Sequence, residues 1–192
     1  MKRTIIYLFS LSVVLLFSVT LAQAQNEVSL KEGDLSFFQE EESAAVEFDF
    51  SKAKVGEEPI ESYLKKLGDD YVTDWPLVQE EARSRMISEF NRKSKGLKFR
   101  ENETMVKARY KFNFKILYYK PGDQKMKNVP LVAKSGGDTI SGTLEVIDRE
   151  SGEKVCSVLI DEIRGKSYPA DGVRLGYVFT EVMKRLMKLA EK

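Results

Sequence analysis

From Val106 to Tyr118 the chain alternates without a break, and this run decides most of what the fold can be. Val106, Ala108, Tyr110, Phe112, Phe114, Ile116 and Tyr118 share one face of an extended chain. Lys107, Arg109, Lys111, Asn113, Lys115 and Leu117 share the other. An α-helix would scatter both sets around its circumference, so a period of two demands a strand. At about 3.3 Å per residue it is long enough to run through the middle of a sheet. One apolar face opposite one basic face means that the sheet is covered on one side and wet on the other.

The cover has to come from amphipathic helices, and the chain supplies three. Ile60, Tyr63, Leu64 and Leu67 form one stripe between Pro59 and Gly68. Asp74 suits the N-cap of a longer helix, with Pro76 in its first turn and Ala82, Met86 and Phe90 on its buried side. Arg92, Lys93 and Lys95 follow at the end that favours cations, and Gly96 closes it. Asp171-Gly172 opens the last helix, whose stripe is Val178 or Phe179, Val182, Leu186 and Leu189. Further strands come from Ala44–Phe50 and from a hairpin of Thr139–Asp148 and Lys154–Arg164 around Gly152. The Lys120–Asp138 connection is polar and basic, broken by Val129-Pro130-Leu131-Val132, which suits a short edge strand; if irregular, its length suggests a mobile or binding loop. The economical solution is an α+β fold: a two-layer α/β sandwich with a mixed sheet of about four or five strands and three helices on one face.

The first residues read as an address. Lys2 and Arg3 precede the apolar run Ile5–Leu21, and Ala22-Gln23-Ala24 places small residues at the two positions a signal peptidase reads. The run falls short of the roughly 20 residues a spanning helix needs, and no cysteine follows it to carry a lipid. Residues 1–24 are therefore expected to be a signal peptide cut after Ala24, residues 25–43 an acidic leader steadied by Leu35, Phe37 and Phe38, and residues 44–192 a single domain. The product is expected in the periplasm or outside the cell, with no membrane span after cleavage. This element order, with an exported start and a closing amphipathic helix, resembles the small periplasmic α/β domains of envelope-assembly proteins. The amino-terminal domain of the Tol-system protein TolB is one; uncharacterised exported proteins of Bacteroides-type bacteria are others. The resemblance lies in element order and implies a binding or assembly role.

Composition narrows the chemistry. The chain has no histidine, so Ser-His-Asp triads, Cys-His pairs and histidine-held zinc are excluded, and neither metal nor cofactor is expected. Its single cysteine, Cys156, cannot form an internal disulfide and lies in an apolar strand, as a buried inert thiol would. Without Lys2 and Arg3, 29 of the 31 basic residues face the 30 acidic ones, which gives no pull toward nucleic acid.

Four features stand as candidate sites. The basic strand face, Lys107, Arg109, Lys111 and Lys115, could take an anionic polymer or an acidic envelope protein; the plainer account pairs these cations with Glu145 and Asp161 on neighbouring strands. Asp161 and Glu162, near Arg164, are the carboxylates best placed for glycosidic cleavage, although strand neighbours point to opposite faces. Gly165-Lys166-Ser167 has the tail of a phosphate loop, but Ile160 stands where its first glycine belongs, so a plain loop is expected. Trp75 and Tyr118-Tyr119 suit core packing, or an aromatic platform for sugar or protein contacts. The Gly172–Gly176 spacing lets a helix approach the sheet closely. The expected function is a non-catalytic exported protein that binds an envelope component through an open sheet face or edge. The alternatives are a small carboxylate-dependent glycan hydrolase and a self-associating structural subunit.

Overall fold

The computed structural model describes residues 27–101, 106–122 and 136–191. Ala22, Ala24 and the expected signal peptide they close lie outside these residues, as does Val129–Val132. Eight strands, β1 (Glu27–Gly33), β2 (Ser43–Asp49), β3 (Lys54–Val55), β4 (Glu58–Pro59), β5 (Lys98–Phe99), β6 (Tyr110–Lys120), β7 (Thr139–Asp148) and β8 (Lys154–Arg164), form one mixed sheet. Its main path runs β1-β8-β7-β6-β2-β5, with β2 parallel to β5 and β6 and the other neighbours on that path antiparallel. Three α-helices, α1 (Ile60–Leu67), α2 (Asp69–Lys93) and α3 (Asp171–Ala190), supply the second layer.

The expected four or five strands become eight. Three of the additional ones are only two residues long, too short to carry a period. The fourth is β1, inside the acidic leader, where Val28 is the one buried residue of seven. It is an edge strand on β8, and its alternation is broken by a bulge between Leu30 and Glu32. Behind it, Leu35, Phe37 and Phe38 are buried, the last two in a single 3₁₀ turn.

The long alternating run becomes the central strand, but it starts at Tyr110 rather than Val106. Tyr110, Phe112, Phe114 and Ile116 are buried against the helices as the pattern requires. A bulge between Ile116 and Tyr118 then inverts the alternation. Tyr118, expected on the apolar face, is 52% exposed, and Tyr119 takes the buried place.

Helix α2 starts at Asp69, not at Asp74. Asp69 and Asp70 lie in its first turn, where the helix dipole favours them, and Gly68 with φ 136° separates it from α1. Pro76 therefore lies inside the helix. It leaves the Val72 carbonyl without its intrahelical donor, on a half of α2 that has no buried residue; burial begins at Ala82. Gly152 takes φ 75° in the hairpin turn, a value that L side chains rarely adopt.

The core fills the space between helices and sheet with two aromatic groups. Phe37, Phe38, Phe90, Phe99 and Phe112 meet edge to face at one end. Phe48, Phe50, Phe114, Trp75, Tyr119 and Phe179 pack together at the other. Cys156 is 1% exposed, and burial pushes its thiol up to about 12. Native protein should therefore take up no maleimide at pH 8, whereas protein in denaturant should label fully within minutes. Rapid labelling of the native protein would show that β8 opens at low cost. No helix of the described residues is long and apolar enough to cross a membrane.

Candidate functional site

The sheet face away from the helices is built from the alternate residues of its long strands. Lys111, Asn113, Thr143, Glu145, Ile147, Ser157 and Leu159 are each half-buried, while their strand neighbours are buried against the helices. Among the described residues no helix lies over this face.

The four candidate cations do not form one free row. Lys111 pairs with Glu47 of β2 at 2.8 Å, and Lys115 with Glu145 of β7 at 2.6 Å. Both pairs are diagonal, two residues from direct register, since Glu47 and Glu145 each lie opposite Asn113. Arg109 stands just before β6 and reaches four carboxylates: Glu40 and Asp148 at 3.3 Å, Glu42 at 3.4 Å and Glu150 at 3.9 Å. It ties the chain before β2 to the β7–β8 turn, and the Tyr110 hydroxyl donates to Glu40 at 2.8 Å beside it. Lys107 is exposed in a turn before the strand. Of the two acids expected to neutralise this face, Glu145 does so. Asp161 enters no ion pair among the described residues.

At one end of the sheet three strands break register together: β6 at Leu117, β7 at Ser141 and β8 at Asp161–Glu162. Bulges bend a strand and re-aim its side chains, and here they open a groove of about 1320 Å³. Its walls include Tyr63, Leu117, Tyr118, Asp161, Glu162 and Arg164. Leu117 is 44% exposed, so the groove has a greasy lip. Glu162 has φ 45°, the one positive value on a non-glycine residue among those described, and its N–H donates to Ser141 Oγ at 2.9 Å. Strict alternation would send Asp161 and Glu162 to opposite faces; the bulge brings both to the groove. Tyr118 stands exposed at the groove, while Tyr119 is buried in the core at its floor.

Beneath the groove lies a charged pair that the sequence pattern did not reveal. Asp138 is fully buried and Arg174 is 3% exposed. Asp138 accepts from Arg174 Nε, from the Gly122 N–H at 2.6 Å and from the Tyr119 hydroxyl at 3.1 Å. Arg174 also donates to the Tyr168 carbonyl at 3.1 Å and to Asp171 at 2.7 Å. Burial pushes the Asp138 carboxyl above its usual range, while Arg174, Gly122 and Tyr119 oppose that rise. Every guanidinium nitrogen of Arg174 has a partner, as a buried charge requires. Arg174 falls on the α3 stripe, four residues before Val178, and a charge on a buried stripe was the available signal.

No protein-family model matches the chain, and no curated protein matches it. Among solved structures, the PelC dodecamer from Paraburkholderia phytofirmans aligns with TM-score 0.43 and 13% identity, over 83% of this chain and 97% of that one. A Xanthomonas campestris protein of the DUF330 type aligns at 0.36 and 9%, over 77% and 83%. A neuraminyllactose-binding hemagglutinin homolog from Helicobacter pylori aligns at 0.34 and 14%, over 82% and 86%. Likeness at this level transfers no residue role, and function is argued from this chain's own surfaces. Among the described residues no cluster of three or more acidic or cysteine side chains is arranged to hold a metal.

Proposed function

We propose that the chain is an exported, non-catalytic binding protein that docks an envelope component on its open sheet face. The observation that carries this reading is the outer side of β6, β7 and β8, strands of 11, 10 and 11 residues, over which no helix of the described residues lies. Lys111 and Lys115 already face Glu47 and Glu145, so the surface presents alternating charge. It suits a folded protein of complementary pattern better than a uniformly anionic polymer. Lys107, Lys111 and Lys115 form its adjustable cations, while Arg109 serves the fold.

A photo-crosslinking residue at Thr143 or Ser157, introduced in cells that export the protein, should give one discrete adduct. The same residue at Lys188 on α3 should give none. Equal yield from both sides, or none from the sheet, would overturn the reading. Charge reversal at Lys107, Lys111 and Lys115 together should lower the adduct severalfold and leave thermal unfolding nearly unchanged, since exposed pairs contribute little to stability.

The groove supports a second reading, in which Asp161 and Glu162 act as the carboxylate pair of a small glycan hydrolase. Reducing ends released from envelope glycan by wild type and not by an Asp161→Asn variant would favour it. Self-association would use the β1 edge, which a bulge, Lys31 and Glu32 blunt against pairing.

A further inference from the structure

The Gly165-Lys166-Ser167 turn and the Gly172–Gly176 spacing meet in the helical layer, around Tyr177 of α3. Arg85 of α2 lies over the Tyr177 ring, with Cζ 4.1 Å from the ring centroid, and one of its Nη atoms donates to the Tyr177 hydroxyl. Lys166 Nζ lies 5.6 Å from the same centroid. The Tyr168 ring, 45% exposed, stands 6.1 Å away. Glycine makes the approach possible: a Cβ on Gly176 would come within 2.9 Å of the Arg85 Cβ.

One fact separates this cluster from the rest of the surface, and it concerns Arg85. Arg85 and Lys166, like Arg100 and Arg164, enter none of the ion pairs found among the described residues, and Glu89, one helical turn after Arg85, pairs with Arg92 at 2.8 Å. Glu81, one helical turn before Arg85, packs against Gly172 instead. Arg85 Nε is also the buried side-chain polar atom left without a hydrogen-bond partner among those residues. The aromatic face offsets part of the desolvation of a guanidinium, but it supplies no acceptor in the guanidinium plane. Tyr177 uses its oxygen to accept from Arg85, so its own hydroxyl hydrogen is left to donate. The cluster is thus richer in donors than in acceptors, and Arg85 Nε has none.

We propose that Arg85, Lys166 and Tyr177 form a binding site for a phosphate-type oxyanion, with Tyr168 as its exposed wall. A phosphate group carries several acceptor oxygens and negative charge, which together answer the guanidinium, the ammonium and the phenol. The group can be a soluble phosphate or a lipid headgroup, and the two are separable by experiment.

Inorganic phosphate titrated into the intact protein at constant ionic strength should bind saturably, read by calorimetry and by the near-ultraviolet signal of tyrosine. Arg85→Gln should weaken binding about tenfold or more, as expected for removal of a charged donor. Lys166→Gln, in an exposed loop, should weaken it about threefold and keeps the test alive if the Arg85 variant folds poorly. Tyr177→Phe keeps the ring and should show the loss of one donor. Lys184→Gln, whose cation pairs with Glu181, should bind as wild type does. Vesicles of phosphatidylglycerol in phosphatidylcholine form the second arm; sedimentation with them, lost in the same variants, assigns the headgroup as the source. Absence of saturable binding in both arms would overturn the proposal. So would equal losses in Lys184→Gln and Lys166→Gln, which would reduce the effect to general charge.

Discussion

Replacing Asp138 by alanine is expected to lower the free energy of unfolding by about 3–5 kcal/mol, the range for removing one partner of a buried ion pair. The loss is not simply that of a salt bridge. Arg174 would remain 3% exposed, with Nε unpaired, and the Gly122 N–H and Tyr119 hydroxyl would lose their acceptor. Arg174→Ala should cost a similar amount by stranding the carboxylate. Removing both charges, as Asp138→Leu with Arg174→Met, should recover a substantial part, because an apolar pair of similar volume carries no desolvation cost. Urea unfolding of the four proteins gives the coupling directly. A cost below about 1 kcal/mol for Asp138→Ala would show that water reaches the site and that the pair does not anchor α3 to the sheet end.

That pair also marks the boundary of what the sequence makes legible. Phe112, Phe114 and the last helix are readable because one period repeats over many residues, and a single exception does not erase it. The β6 bulge is not readable, because Tyr118 and Tyr119 are the same residue type and either fits either face. Strand β1 contributes Val28 and little else to the core, so its segment looks like a charged leader. The two-residue strands β3, β4 and β5 exist only because neighbours come to pair with them. Asp138 sits in a polar stretch where one more acid carries no signal. Its burial follows from the three donors that converge on it, Tyr119 and Gly122 at the end of β6 and Arg174 on α3. The cationic face shows the same limit from the other side. Alternation places Lys111 and Lys115 outward correctly, but whether they stand free depends on register with Glu47 and Glu145, which local pattern does not specify.

Where a pattern is long, its energetic consequence is correspondingly large, and Phe179 tests this. It stacks on Phe48 with centroids 3.7 Å apart and meets Phe114 edge-on at 5.1 Å. Phe48 and Phe114 are directly paired across β2 and β6, so one ring of α3 clamps the parallel pair at the middle of the sheet. Phe179→Ala should destabilise by about 3–5 kcal/mol, the transfer cost of the ring plus the cavity that rigid strands cannot close. Phe179→Leu should cost clearly less, since it refills most of the volume without the ring contacts. Leu189→Ala, on a partly buried position near the end of the same helix, should fall below both. If Phe179→Ala and Leu189→Ala proved equally costly, α3 would be held by general amphipathic burial, and the clamp on the parallel pair would carry no special share of the stability.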